Sequence, residues 1–153
     1  MIKRTELQIG NIVLNGPAKA AILWEVIGLS ADRIVLGSEF LDTHQELADD
    51  EDLYPVPIDP QLLKKLDFFF ERRMDAFEGD GRVPIDTFTK RLKDFDIIIT
   101  KDFDLNGIFY LRVRDLRKKD SITHEVMLQY VHELQNESFR FTNERLIIST
   151  KNG

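Results

Sequence analysis

The sequence predicts an α+β fold, mainly antiparallel sheet, with a small barrel-like N-terminal half and two helices at about 60–66 and 123–141. Three observations predict it. Short apolar runs broken by turn residues dominate residues 7–36, a strong hairpin pattern covers residues 95–114, and helical punctuation is confined to two places.

Leu7, Ile9, Ile12 and Leu14 alternate, with Gly10-Asn11 resetting the phase, so residues 7–14 read as a strand with a bulge or tight bend. Gly16-Pro17 ends it. Residues 22–29 and 33–36 form the next two strands around a Ser30-Ala31-Asp32 turn, which suggests a meander or a small curled barrel. Residues 43–52, closing on Asp49-Asp50-Glu51-Asp52, read as a solvated acidic loop.

The first helix is written in local chemistry. Pro55 and Pro57 impose extended backbone. Asp59 can accept from the orphan amides, and Pro60 stands where its missing N–H costs nothing. Leu62, Leu63 and Leu66 make the apolar face, Lys64 and Lys65 suit the negative end of the dipole, and Asp67 tolerates a left-handed stop. Phe68-Phe69-Phe70 opens a strand, residues 75–82 with Gly79 and Gly81 read as a turn or mobile loop, and residues 87–92 form another strand.

In the hairpin, Phe95, Ile97, Ile99 and Phe103 face Phe109, Leu111 and Val113. A two-residue Asn106-Gly107 turn would put Asp102 and Asp104 on the apolar face, because a one-residue slip exchanges the faces. A three-residue loop, Leu105-Asn106-Gly107, instead pairs Phe103 with Phe109 and Ile99 with Val113, and sets Thr100 opposite Arg112. The second helix, residues 123–141, follows from Met127, Tyr130, Val131, Leu134 and Phe141 at helical spacing, with a start at Asp120 or Ser121 and a stop at Asn143. Residues 146–149 return as a terminal strand. The 153 residues make one domain, divisible at most into a β-rich 1–56 and an α+β 57–153.

Composition narrows function. The chain has no cysteine, which removes disulfides, thiolate zinc and thiol nucleophiles. It lacks an apolar leader or a span long enough for a bilayer, and the cytoplasm is the expected compartment. A net charge of −6 disfavours nucleic acid, whose nonspecific binding is electrostatic. Asp102-Phe-Asp-Leu-Asn-Gly107 matches half a calcium loop, but its twelfth position is Val113 where a glutamate is required. His124 and His132 each precede a glutamate, yet eight residues of helix separate them by roughly 12 Å, too far for one zinc ion. No metal or cofactor is expected, and no catalytic residue is assigned.

Two constellations remain. His132, Gln135 and Asn136 form an amide-rich stripe on the last helix, read either as satisfying backbone groups of neighbouring strands or as a recognition surface. An acid–base role for His132 is conceivable in principle, but no nucleophile motif accompanies it. Tyr110, Arg112 and Arg114 share a strand face, followed by Arg117, Lys118 and Lys119, a pattern that binds single-stranded nucleic acid or makes an ordinary solvent face. Trp24 reads as core.

Three segments, ELQIGNIVL, YPVPIDPQLLKKLDF and YVHELQNESFRFTNERLII, occur in that order. Together they resemble a family of short bacterial proteins common in gut anaerobes, their phages and mobile elements, with "RIGN", "PIPLT…LL…LGF" and "VHQLQNLYFALTGEEL" motifs. The third motif is the most specific, at Val131, His132, Leu134, Gln135, Asn136 and Phe139. The chain departs from the family pattern at Glu133, and at Asp67 of the second motif and Asn143 of the third, where glycine is usual. The resemblance implies a mobile-element origin and no chemistry. The expected role is a non-enzymatic interaction or accessory protein that binds a protein partner or itself.

Overall fold

A computed structural model describes residues 1–16, 22–37, 45–48, 52–76, 82–101, 107–119 and 122–148. It contains two five-stranded antiparallel sheets and two α-helices. The chain falls into two compact units, Met1–Pro57 with Tyr130–Glu137, and Ile58–Gln129 with Ser138–Gly153. No helix among the described residues is long and apolar enough to cross a membrane.

In the first unit, strands β1 (Ile12–Asn15), β2 (Leu23–Leu29), β3 (Ile34–Gly37), β4 (Gln45–Ala48) and β5 (Leu53–Pro55) lie in the order β4-β3-β2-β1-β5. The bend at Gly10-Asn11 is present, with Gly10 at φ 96°. The residues before it are not strand: Arg4–Glu6 form a 3-10 turn, and Asn11 Oδ1 accepts from Gln8 N at 2.8 Å. A side chain thus captures an amide that a ladder would otherwise use. Residues 45–48 of the expected acidic loop are strand β4, because β3 offers them a free edge; Ile34 pairs with Ala48 and Leu36 with Glu46. An edge strand meets water, so its polarity hides it from a pattern search. Asp49, Asp50 and Glu51 lie outside the described residues. Val13, Trp24, Val26, Ile34, Leu36, Ala48 and Leu53 gather with Ile2 and Leu7 in one core. Among the described residues no ladder joins β4 to β5, so the sheet is open.

The second unit begins with α1 (Pro60–Lys65), whose cap is as expected: Asp59 Oδ1 accepts from Gln61 N at 2.7 Å and Leu62 N at 3.0 Å. Asp67 stops it at φ 61°, and Lys90 Nζ donates to the Leu66 carbonyl at 2.6 Å. Strands β6 (Phe69–Ala76), β7 (Arg82–Leu92), β8 (Phe95–Lys101), β9 (Phe109–Asp115) and β10 (Ile122–Leu128) follow in a meander, ordered β10-β9-β8-β7-β6. Strand β7 starts five residues before the expected Thr87, its extra length matched by β6 through Ala76↔Arg82.

The β8–β9 register corrects the three-residue loop. Lys101 pairs with Phe109, Ile99 with Leu111 and Ile97 with Val113, so Thr100 faces Tyr110 and not Arg112. The shift is by two residues, which preserves the faces: Ile97, Ile99, Leu111 and Val113 are fully buried together. Asp102 to Asn106 lie outside the described residues.

The second correction is larger. Residues 122–128 are strand β10, and α2 is Val131–Thr142. Met127, expected on the helix's apolar face, is 59% exposed, while Leu128 is buried against Phe109's strand. Ile122, Thr123 and Val126 are β-branched, and β9 provides the ladder that an isolated segment lacks. The helix instead starts where Glu133 Oε2 accepts from Tyr130 N at 3.0 Å, the N3-to-N-cap half of a capping box. Asn143 ends it at φ 55° with its N–H on the Phe139 carbonyl at 2.8 Å. Residues 144–148 form no strand; Leu146 is buried as coil, and Ser149 is outside the described residues.

Candidate functional site

His132, Gln135 and Asn136 sit on α2. Gln135, 4% exposed, is held at both ends of its amide: Oε1 accepts from Ile12 N and Nε2 donates to the Gly10 carbonyl, each at 2.8 Å. Asn136 donates through Nδ2 to the Glu6 carbonyl at 2.7 Å and accepts at Oδ1 from Asn11 Nδ2 at 2.8 Å. The two amides fasten residues 6–11, which do not form strand, and the first residue of β1, Ile12. His132 is 4% exposed, stacks on Tyr130 with centroids 5.9 Å apart, and has a buried Nδ1 without a hydrogen-bond partner among the described residues. Burial pushes its imidazole below the ordinary 6.5, with Glu133 and Glu6 pulling the other way. His124 stands on β10 and not on the helix, its ring 4.6 Å from Phe141. Among the described residues no three His, Asp or Glu side chains are placed to hold a metal ion.

The second constellation lies on the other sheet. Alternation along β9 buries Phe109, Leu111, Val113 and Asp115 on one face and sends Tyr110, Arg112 and Arg114 to the other. That other face forms an open hollow of about 710 Å³, lined among others by Phe69, Ile85, Ile98 and Ile122 with Arg112 and Arg114. Arg112 is bound to Glu125 at 2.6 Å, and Arg91 to Asp96 at 3.0 Å. Arg114 makes no ion pair among the described residues.

Arg117 does not join them. Its guanidinium binds Asp115 at 2.9 Å and lies 5.0 Å over the Phe95 ring, at the buried side of the sheet. The Arg117 contact holds the Asp115 carboxyl down at about 2. Lys118 and Lys119 are exposed in the turn beyond. The structure therefore brings Tyr110, Arg112 and Arg114 together and separates the basic run from them.

Sequence reasoning missed the apolar part of this face. Phe69, Ile122 and Met127 are 72%, 50% and 59% exposed. Ile98 hides between Ile97 and Ile99, where three isoleucines in a row conceal the alternation, and Ile122 and Met127 carry a signal only once residues 122–128 are recognised as strand. Compared with known protein families, with functionally described proteins and with solved structures, the chain matches none.

Proposed function

We propose that this chain is a non-enzymatic interaction or accessory protein of phage or mobile-element origin that binds a protein through the open face of its second sheet. The observation that carries the reading is that face: a sheet whose opposite side supplies the core exposes Phe69 on one edge strand and Ile122 and Met127 on the other, with Ile98 half-buried between them, beside a hollow of about 710 Å³. Large apolar side chains exposed together on one face and set among polar groups support an interaction site there. The three motifs of the sequence support the mobile-element origin. A barrel-like curl of the N-terminal half, short of closure, is the reading supported by the single core to which all five of its strands contribute.

Nucleic acid is the weaker reading. Arg112 and Arg117 are already committed to Glu125 and Asp115, which leaves Arg114, Lys118 and Lys119 for phosphate. An enzyme centred on His132 is weaker still, since a general base must reach its substrate and this ring is 4% exposed.

The test uses the whole chain as bait in its host, beside Ile122→Asp/Met127→Asp. Proteins recovered by the wild type and lost by the variant support the reading, provided both baits melt alike. Equal recovery by the two baits would show that the face is not the binding site.

A further inference from the structure

Building on that reading, we infer that the partner the open face takes is a second copy of this chain, packed face to face about a two-fold axis along the row Thr89, Ile98, Arg112 and Glu125. That row is fixed by the pairings Thr89↔Ile98, Ile98↔Arg112 and Arg112↔Glu125. On one side of it lies the row Thr87, Thr100, Tyr110 and Met127, and on the other the row Arg91, Asp96, Arg114 and Ile122.

Charge balance argues for this partner. The face carries Arg91, Arg112 and Arg114 against Glu71, Asp96 and Glu125, so it is neutral and selects neither a strongly acidic nor a strongly basic partner. A two-fold contact requires the patch to be complementary to itself. The axis along the Ile98 row meets that requirement, because it lays each outer row over the other. Met127 then meets Ile122 of the second copy, two of the most exposed apolar residues of the sheet. Tyr110 meets Arg114, giving a guanidinium that makes no ion pair among the described residues a ring face to lie on. Thr100, a hydroxyl donor, meets the Asp96 carboxylate. Ile98 meets itself on the axis. Arg112 and Glu125 each also meet themselves, but the two are paired at 2.6 Å in each copy, and the diagonal Arg112–Glu125 attractions offset both repulsions. Turning the axis along β8 instead would set Arg114 over Arg91, Asp96 over Asp96 and Met127 over Glu71, which loses both the apolar contact and the ring contact of Arg114.

Four strands, β7 to β10, spaced about 4.8 Å apart and three rows about 7 Å apart give a footprint of roughly 400 Å². That is about half of what a stable interface covers per partner. The dimer is therefore weak and concentration-dependent.

Sedimentation equilibrium of the wild-type chain up to about 1 mM is expected to show a monomer–dimer equilibrium. Arg114→Glu is expected to weaken it roughly tenfold. The absence of cysteine makes single-cysteine variants clean reporters. Facing sheets stand about 10 Å apart, so a short bis-maleimide bridges opposed positions. Ile98→Cys should cross-link to itself. Ile122→Cys should cross-link to Met127→Cys in a mixture far better than either does alone, and this exposed pair decides the matter if Ile98→Cys fails to fold. A wild type that stays monomeric at 1 mM overturns the dimer while leaving the interaction reading to its own bait comparison. Equal cross-linking by Ile122→Cys alone, or a dimer indifferent to Arg114→Glu, overturns the proposed axis.

Discussion

Gln135 holds Gly10: its Nε2 donates to the Gly10 carbonyl at 2.8 Å while its Oε1 accepts from Ile12 N at the same distance. One side-chain amide thereby does for one edge of residues 10–12 what a neighbouring strand would do, while the Gly10 N–H and the Asn11 carbonyl bond to Val26 of β2 at 2.7 and 2.8 Å and Gly10 bends the chain at φ 96°. The stripe on α2 is a clamp at Gln135 and Asn136, and both donors and acceptors of each amide are used.

Gln135→Ala leaves the Ile12 N–H and the Gly10 carbonyl without that partner in a buried setting. Each orphaned group costs about 1–3 kcal/mol, so a loss of about 2–6 kcal/mol is expected in urea denaturation. An unchanged midpoint would mean that the clamp contributes nothing.

Asp59→Ala removes the acceptor of two α1 amides. The expected destabilisation is about 1 kcal/mol, and Asp59→Asn should recover most of it, since asparagine caps equally well. Paired denaturation curves of the two variants test this.

Acid should weaken the fold through His132. Its folded imidazole titrates below the ordinary 6.5 because burial disfavours the cation. Between the folded value and 6.5 the unfolded chain binds more protons, so stability rises with pH there and is lost as pH falls below 6.5. Denaturation midpoints measured from pH 7.5 to 5.5 should fall in the wild type. The fall should be shallower in His132→Phe, which keeps a ring against Tyr130; equal slopes would assign the effect to other groups.

Ile122→Thr and Met127→Thr should each leave stability within about 0.5 kcal/mol of the wild type, because both side chains face solvent and neither fills the core. A loss of 2 kcal/mol or more by thermal melting would show that these residues belong to the packed interior and not to a docking face.

What could be read without the structure was local. The start and stop of α1 depend on Asp59, Pro60 and Asp67, all within one or two turns of the amides and carbonyls they serve, and each is where the residue types place it. The stop at Asn143 is local in the same sense. The buried face of the β8–β9 hairpin follows from alternation alone, which survives the two-residue change of register because two is the period of a strand.

What tertiary structure decided was non-local. Residues 122–128 carry enough helical spacing to pass for a helix, and only the free edge of β9 makes them strand. Residues 45–48 lack a clear apolar alternation, and only the edge of β3 recruits them. The basic face is likewise settled by partners far along the chain: Glu125 takes Arg112 across a strand pair, while Asp115 draws Arg117 to the opposite side of the sheet. Caps and periodicity act over a few residues and are therefore encoded in place. Ladder edges, ion pairs and exposed faces exist only after distant segments meet, so the residue types at those positions left more than one outcome open.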